Sequence, residues 1–210
     1  MTGFESTVAS TLLEIEAIRL RPEQPFKWAS GWNSPIYCDN RFSLSFPQSR
    51  NLIKEALTEL TQKNFPEVQA IAGVATAGIP QGALIADKLN LPFIYVRPKP
   101  KDHGMENLIE GKVVKGQKVV VVEDLISTGG SSLKAVEALK EAGFMVLGMV
   151  AIFTYGFKVA EENFSKANVK LFTLSNYDAL IAEALKKGYV KEKELESLRK
   201  WRKDPAGWKG

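Results

Sequence analysis

The segment Val119-Val120-Val121-Val122-Glu123-Asp124-Leu125-Ile126-Ser127-Thr128-Gly129-Gly130-Ser131-Ser132 gathers the residue types needed to hold a phosphorylated sugar. Glycines let successive backbone N–H groups close around an anion, and a helix opening just beyond them adds the positive end of its dipole. Ser127, Thr128 and Ser131 supply hydroxyl donors. Glu123 and Asp124 would repel a phosphate, but they suit hydroxyl groups beside it, as on a ribose. A plain strand–turn–helix connection with a serine cap explains the glycines and serines. It does not explain two adjacent acids at the end of an apolar strand. The segment has neither the Gly-Lys-Ser/Thr of a Walker loop nor the Gly-x-Gly-x-x-Gly of a dinucleotide site.

Three further groups bear on the same chemistry. Arg97-Pro98-Lys99-Pro100-Lys101-Asp102-His103-Gly104 carries three cations and the only histidine of the chain. Its prolines argue against a helix or a continued strand, and the polar run to Gly111 predicts a mobile excursion before Lys118. Such a run is ordinarily a solvated basic loop. At the carboxyl end of a strand, beside a phosphate cradle, a lid that closes on a polyanion is the better account. The aromatic stretch from Phe26 to Arg41 includes Lys27 and reads by itself as a hairpin with an apolar face. Its Cys38 reads as a small buried hydrophobe. Gly73-Val74-Ala75-Thr76-Ala77-Gly78-Ile79-Pro80 is a weaker glycine-bearing junction, offering backbone N–H groups and Thr76 to an anion.

Positioning these groups falls to an alternation of apolar segments. Helical spacing predicts helices over Phe4–Leu20, Pro47–Lys63, Ile79–Leu89, Ser131–Ala142, Lys158–Lys166, Tyr177–Lys187 and Lys191–Arg202. Pro47 is allowed in the first turn of its helix. Strands are expected over Gln69–Val74, Pro92–Val96, Lys118–Val122, Phe144–Phe153 and Val169–Leu174, with short strands and turns in Phe26–Arg41. Apolar strands that do not alternate, separated by helices, indicate an α/β fold with a central parallel sheet covered on both faces. Ligands of such sheets bind beyond the carboxyl ends of the strands, here the loops after residues 74, 96 and 122.

Composition narrows the classes. The chain has 210 residues, is 45% hydrophobic and 25% charged, and suits one domain with a real core. One cysteine and one histidine exclude an intrachain disulfide framework and a zinc site of several Cys/His ligands. The cysteine usage fits a reducing compartment, so a cytoplasmic location is expected. No signal peptide is visible. The longest apolar run, Phe144–Tyr155, falls short of the ~20 residues of a membrane span. The net charge of +4 resides in residues 186–210, with 9 basic and 4 acidic groups, against 19 basic and 20 acidic in the rest. A nearly neutral body argues against nucleic acid as the partner.

The acid-pair segment resembles the phosphoribosyl diphosphate signature of type I phosphoribosyltransferases: apolar strand, two acids, two variable residues, then Thr-Gly-Gly. The basic loop resembles the lid of orotate phosphoribosyltransferases. The Phe26–Arg41 stretch resembles their hood, with Phe-x-x-x-Ser-Gly, then Ser-Pro and Tyr. The resemblance spans roughly residues 4–185 and implies the type I phosphoribosyltransferase fold as a single domain. The hood would be about 1–45, the core about 46–185 and a C-terminal helical tail 186–210. That tail lies beyond the resemblance and reads as a helix packed on the body, ending in solvated charge.

What the resemblance implies is transfer of ribose 5-phosphate from 5-phospho-α-D-ribose 1-diphosphate to orotate. The products are orotidine 5′-monophosphate and pyrophosphate, in pyrimidine (UMP) synthesis. Arg97, Lys101 and His103 would be the catalytic lid residues on pyrophosphate, with Lys99 standing for a family cation whose position is Pro98. Glu123 and Asp124 would hold the ribose hydroxyls. The stretch Leu125, Ile126, Ser127, Thr128, Gly129, Gly130 and Ser131 would surround the 5′-phosphate, with Thr76 near the pyrophosphate. Lys27 and Ser127 would contact orotate. Mg²⁺ is implied as cofactor, held on substrate oxygens and water without a dedicated protein cage. A homodimer is implied, with the 97–111 lid reaching the neighbouring site. Two other readings remain: a non-catalytic sensor of phosphoribosyl diphosphate, and an enzyme for another base such as a purine. The intact lid and the lack of a helix-turn-helix segment disfavour the first; hood and lid together disfavour the second.

Overall fold

The four valines Val119–Val122 lie in the middle of a sheet, and their side chains divide between its two faces. Val120 and Val122 enter one apolar cluster, Val119 and Val121 the other, all fully buried. The run does not alternate in polarity because neither face meets water. The structure, a computed structural model, describes residues 3–28, 31–99 and 108–209.

In chain order the elements are α1 (Glu5–Glu14), β1 (Ile18–Leu20), β2 (Phe26–Lys27), β3 (Asn33–Ser34), β4 (Ile36–Cys38) and a 3-10 helix (Asn40–Ser45). There follow α2 (Pro47–Asn64), β5 (Ala70–Val74), α3 (Gly78–Leu89), β6 (Phe93–Val96), β7 (Ile109–Glu110), β8 (Lys118–Ile126) and α4 (Gly130–Glu141). The chain closes with β9 (Met145–Thr154), α5 (Lys158–Lys166), β10 (Leu171–Asn176), α6 (Tyr177–Lys186) and α7 (Glu192–Lys203). The main sheet has the order β10-β9-β8-β5-β6-β7. Its neighbours pair in parallel except β6 with β7, which are antiparallel. One face is covered by apolar residues of α1, α2, α3, α6 and α7, the other by those of α4 and α5. This is the doubly covered α/β sheet expected from the alternation of segments.

Four local expectations are corrected. The first helix stops at Glu14 rather than running to Leu20. Glu16 turns left-handed at φ 57°, and Ile18–Leu20 leave as a strand that pairs antiparallel with β4. Ile18, at 1% exposed, satisfies the same apolar pattern from a strand that it would from a helix. Second, β8 does not stop at Val122 but runs through both acids to Ile126, because β9 stays paired with it that far. Third, β10 lies two residues later than expected, at Leu171–Asn176. Fourth, the end of the run to Gly111, expected as part of a mobile excursion, forms the two-residue edge strand β7, antiparallel to β6 and too short to leave a sequence signal.

Candidate functional site

Strands β8, β5 and β6 are neighbours, so the segments leaving their carboxyl ends gather along one edge of the sheet. The pairing of β8 with β5 ends at Val122, opposite Gly73. Beyond it the overhang from Glu123 to Ile126 keeps β9 on one side and has no β5 ladder on the other. The two acids lie on that overhang.

Glu123 is 6% exposed. Its Oε1 accepts from the Asp124 backbone N–H at 3.0 Å, and its Oε2 accepts from the Ser132 hydroxyl at 3.1 Å. Burial, then the charge of Asp124, push the Glu123 carboxyl up to about 8. Burial also raises the Asp124 carboxyl from its ordinary value. Burial and the neighbouring charge therefore both favour the protonated form of the Glu123 carboxyl, with the half-buried Asp124 beside it.

The cradle follows directly. Gly129 adopts φ 80°, and α4 begins at Gly130 with Gly129 as its cap. A Cβ at Gly129 would lie 2.6 Å from the Phe164 ring, so both conformation and space call for glycine there. Asn163 of α5 donates to the Thr128 carbonyl at 3.0 Å. Thr128, Gly130 and Ser131 are exposed at this helix N-terminus, where unpaired N–H groups favour an anion. Ser127, Leu125 and Ile126 lie between acids and cradle; Ile126 is fully buried and anchors rather than faces a ligand. The loop Ala75–Ala77, with Thr76, runs beside the overhang: Gly78 lies against the Val122 carbonyl, where a Cβ would collide with the oxygen.

Arg97 leaves β6 with its N–H bonded to the Leu108 carbonyl at 2.7 Å, and its guanidinium lies 3.6 Å from Glu110 of β7. Lys99 is exposed. Lys101 and His103 lie outside the described residues. Lys27 is exposed on the β2–β3 hairpin. Its chain neighbour Trp28 packs 5.5 Å from Tyr155, whose N–H bonds the Ile126 carbonyl at 3.2 Å. The hood residue Lys27 and the loop residue Ser127 are thus tied to the same carboxyl ends of β8 and β9. Sequence reasoning assigned nothing to Ser132, Glu110 and Asn40. Ser132 stood inside the quoted motif, and Asn40 donates to the Asp124 carbonyl at 2.8 Å. Only a fold joins residues that far apart.

A family model for the phosphoribosyl transferase domain matches residues 44–186, and the chain is a member of that class. The orotate phosphoribosyltransferase of Cytophaga hutchinsonii is 68% identical, over 99% of this chain and 99% of its own. That of Bacteroides thetaiotaomicron is 61% identical, over 99% of this chain and 98% of its own. The crystal structure of orotate phosphoribosyltransferase from Aeropyrum pernix superposes with a TM-score of 0.75 at 32% identity, covering 88% of this chain and 99% of that one. The chain belongs to the orotate phosphoribosyltransferase family.

Proposed function

We propose that this edge of the sheet binds 5-phospho-α-D-ribose 1-diphosphate and orotate, as a single-domain enzyme with hood, core and tail. The chain is a pentosyltransferase of pyrimidine synthesis, giving orotidine 5′-monophosphate and pyrophosphate. The observation that carries the site assignment is the pair of buried Glu123 and half-buried Asp124 on the last residues of β8, followed within one loop by the α4 N-terminus at Gly130. Ribose hydroxyls meet the acids and the 5′-phosphate meets the cradle, so the anomeric carbon is oriented outward.

In the transfer, the anomeric C–O bond breaks with its electron pair leaving on pyrophosphate, and a ring nitrogen of the base forms the new C–N bond with its lone pair and releases its proton to solvent. Positive charge builds on the ribose ring in an oxocarbenium-like transition state. The protein's task is placement and charge stabilisation. Arg97, Lys99, Lys101 and His103 meet the charge on the leaving diphosphate, with Thr76 and the backbone of its loop beside them. Lys27 and Ser127 hold the anionic base. No group of three or more metal-ligating side chains occurs among the described residues. The acid pair and cradle would hold Mg²⁺ only through the bound substrate, and the ion would supply neutralisation of charge on the leaving diphosphate. A homodimer whose 97–111 lids reach across, working in the cytoplasm, completes the reading. No helix among the described residues is long and apolar enough to cross a membrane.

The test is orotate consumption with phosphoribosyl diphosphate, with and without Mg²⁺, and with adenine, hypoxanthine and uracil as rival acceptors. Loss of orotate alone, dependent on Mg²⁺, is expected. Turnover of a purine instead, or none at all, rejects the reading.

A further inference from the structure

Past Val122 the β8 backbone has lost its β5 partner, yet Asp124 is held on both sides of its Cα. Its N–H donates to Glu123 at 3.0 Å. Its carbonyl accepts from Asn40 Nδ2 at 2.8 Å, across 84 residues of sequence. Asn40 is 1% exposed. Its orientation is dictated by a second bond, since the Cys38 thiol donates to Oδ1 at 3.4 Å. A flipped amide would set its NH₂ against the thiol and its oxygen against a carbonyl. The Asn40 main chain is held in turn: Ser43 Oγ donates to its carbonyl at 2.7 Å, and Gln81 of α3 reaches Ser43 Oγ at 3.4 Å. Asn40 is thus a rigid post, rooted in the 3-10 helix and braced by α3. Its amide supplies the bond that a neighbouring strand would otherwise give.

We propose that Asn40 is a positioning residue that fixes the main chain at Asp124, so that the acid pair faces the ribose hydroxyls of phosphoribosyl diphosphate. The inference rests on the functional reading above. Asn40 touches no substrate; it acts through Asp124. Because it directly follows the hood strand β4 and Asp39, it also makes the hood's base and the ribose site parts of one rigid unit.

The test measures the dissociation constant of phosphoribosyl diphosphate by titration calorimetry with Mg²⁺, on folded protein, alongside thermal midpoints. Asn40→Asp keeps the shape and replaces the donor by an oxygen. Asn40→Ser keeps neutrality with a hydroxyl too short to reach, and serves if the aspartate fails to fold. Each is expected to weaken binding about tenfold, the effect of one buried hydrogen bond. Phe144→Leu trims a buried ring at the amino end of β9, away from Asn40 and the acids, and is expected to lower the midpoint while leaving the dissociation constant unchanged. Unchanged binding in the Asn40 variants overturns the proposal, as does equal weakening in Phe144→Leu, which would make the effect general loosening. Wild-type orotate consumption is measured first: its absence sinks the functional reading, whereas normal wild-type activity with indifferent Asn40 variants sinks only the positioning role.

Discussion

Trp28 of the hood and Trp201 of the last helix meet edge to face, with ring centroids 5.7 Å apart and planes at 86°. Trp201 is fully buried and also lies within 5.6 Å of the Tyr155, Phe157 and Tyr177 rings. Tyr155 in turn bonds the end of β8, and Trp28 directly follows Lys27 and donates to the Ile36 carbonyl at 3.1 Å. The C-terminal helix is therefore the floor on which the β2–β3 hairpin rests.

Trp201→Ala should cost about 3–5 kcal/mol of stability, the usual cost of truncating a large buried aromatic, read from urea unfolding. In the protein that remains folded, the KM for orotate should rise more than that for phosphoribosyl diphosphate, because Lys27 loses its support and the cradle does not. Trp201→Phe should cost less. It retains edge contacts and removes an Nε1–H that has no partner among the described residues. Equal losses in the two variants would contradict the packing account.

Gly78→Ala should destabilise by about 1–3 kcal/mol or more, as overpacking of a close backbone contact does. The added methyl would fall on the Val122 carbonyl oxygen, one residue before the acid pair, and neither backbone can yield without displacing Glu123. Gly130→Ala is the contrast. Its nearest neighbour would be Thr128 Oγ1 at 3.9 Å, and it begins a helix. Stability there should hold or rise by up to about 1 kcal/mol from helix propensity. Thermal midpoints of the two variants decide it.

The strand–loop–helix unit from Glu123 to Ser131 was legible because its residues are contiguous in sequence. Buried strands such as β8 and β9 were legible because burial on both faces leaves unbroken apolar runs. What escaped is whatever depends on partners remote in sequence. Ile18 looks the same in a helix or in a strand paired to Cys38. The continuation of β8 through two acids is set by β9, not by the acids' own propensities. Asn40 and Trp201 carry no local mark at all. Trp201 sits in a segment whose charge, the easiest feature to count, belongs to its solvent side.

Lys101→Ala should lower turnover far more than affinity for the ribose phosphate end, because a lid cation meets charge that grows as the leaving group departs. Steady-state kinetics with both substrates varied gives the split, and an unchanged kcat removes Lys101 from the mechanism. If lids cross between subunits, mixing inactive Lys101→Ala and Asp124→Ala chains should restore activity, since each mixed dimer assembles one intact site. Mixtures as inactive as their parents would count against shared sites.

The ligand-free protein should lose stability as pH rises through the window between the ordinary Glu value of 4.5 and the value of about 8 to which burial and the Asp124 charge push Glu123. Within that window the folded chain keeps a proton that the unfolded chain releases. The stabilisation is complete below the lower value and gone above the upper one. Glu123→Gln cannot release a proton, so its thermal midpoint should gain on wild type steadily from about pH 5 to about pH 8. Asp124→Asn removes the smaller cause and leaves the larger, burial, so its profile should be flatter than wild type yet still fall. Ser132→Ala should act the other way. The Ser132 hydroxyl favours the ionised carboxylate, so losing it holds the Glu123 proton more tightly and carries the decline to higher pH. Midpoints of the four proteins across this range test the order. Parallel profiles for wild type and Glu123→Gln would show that Glu123 is already ionised in the folded state.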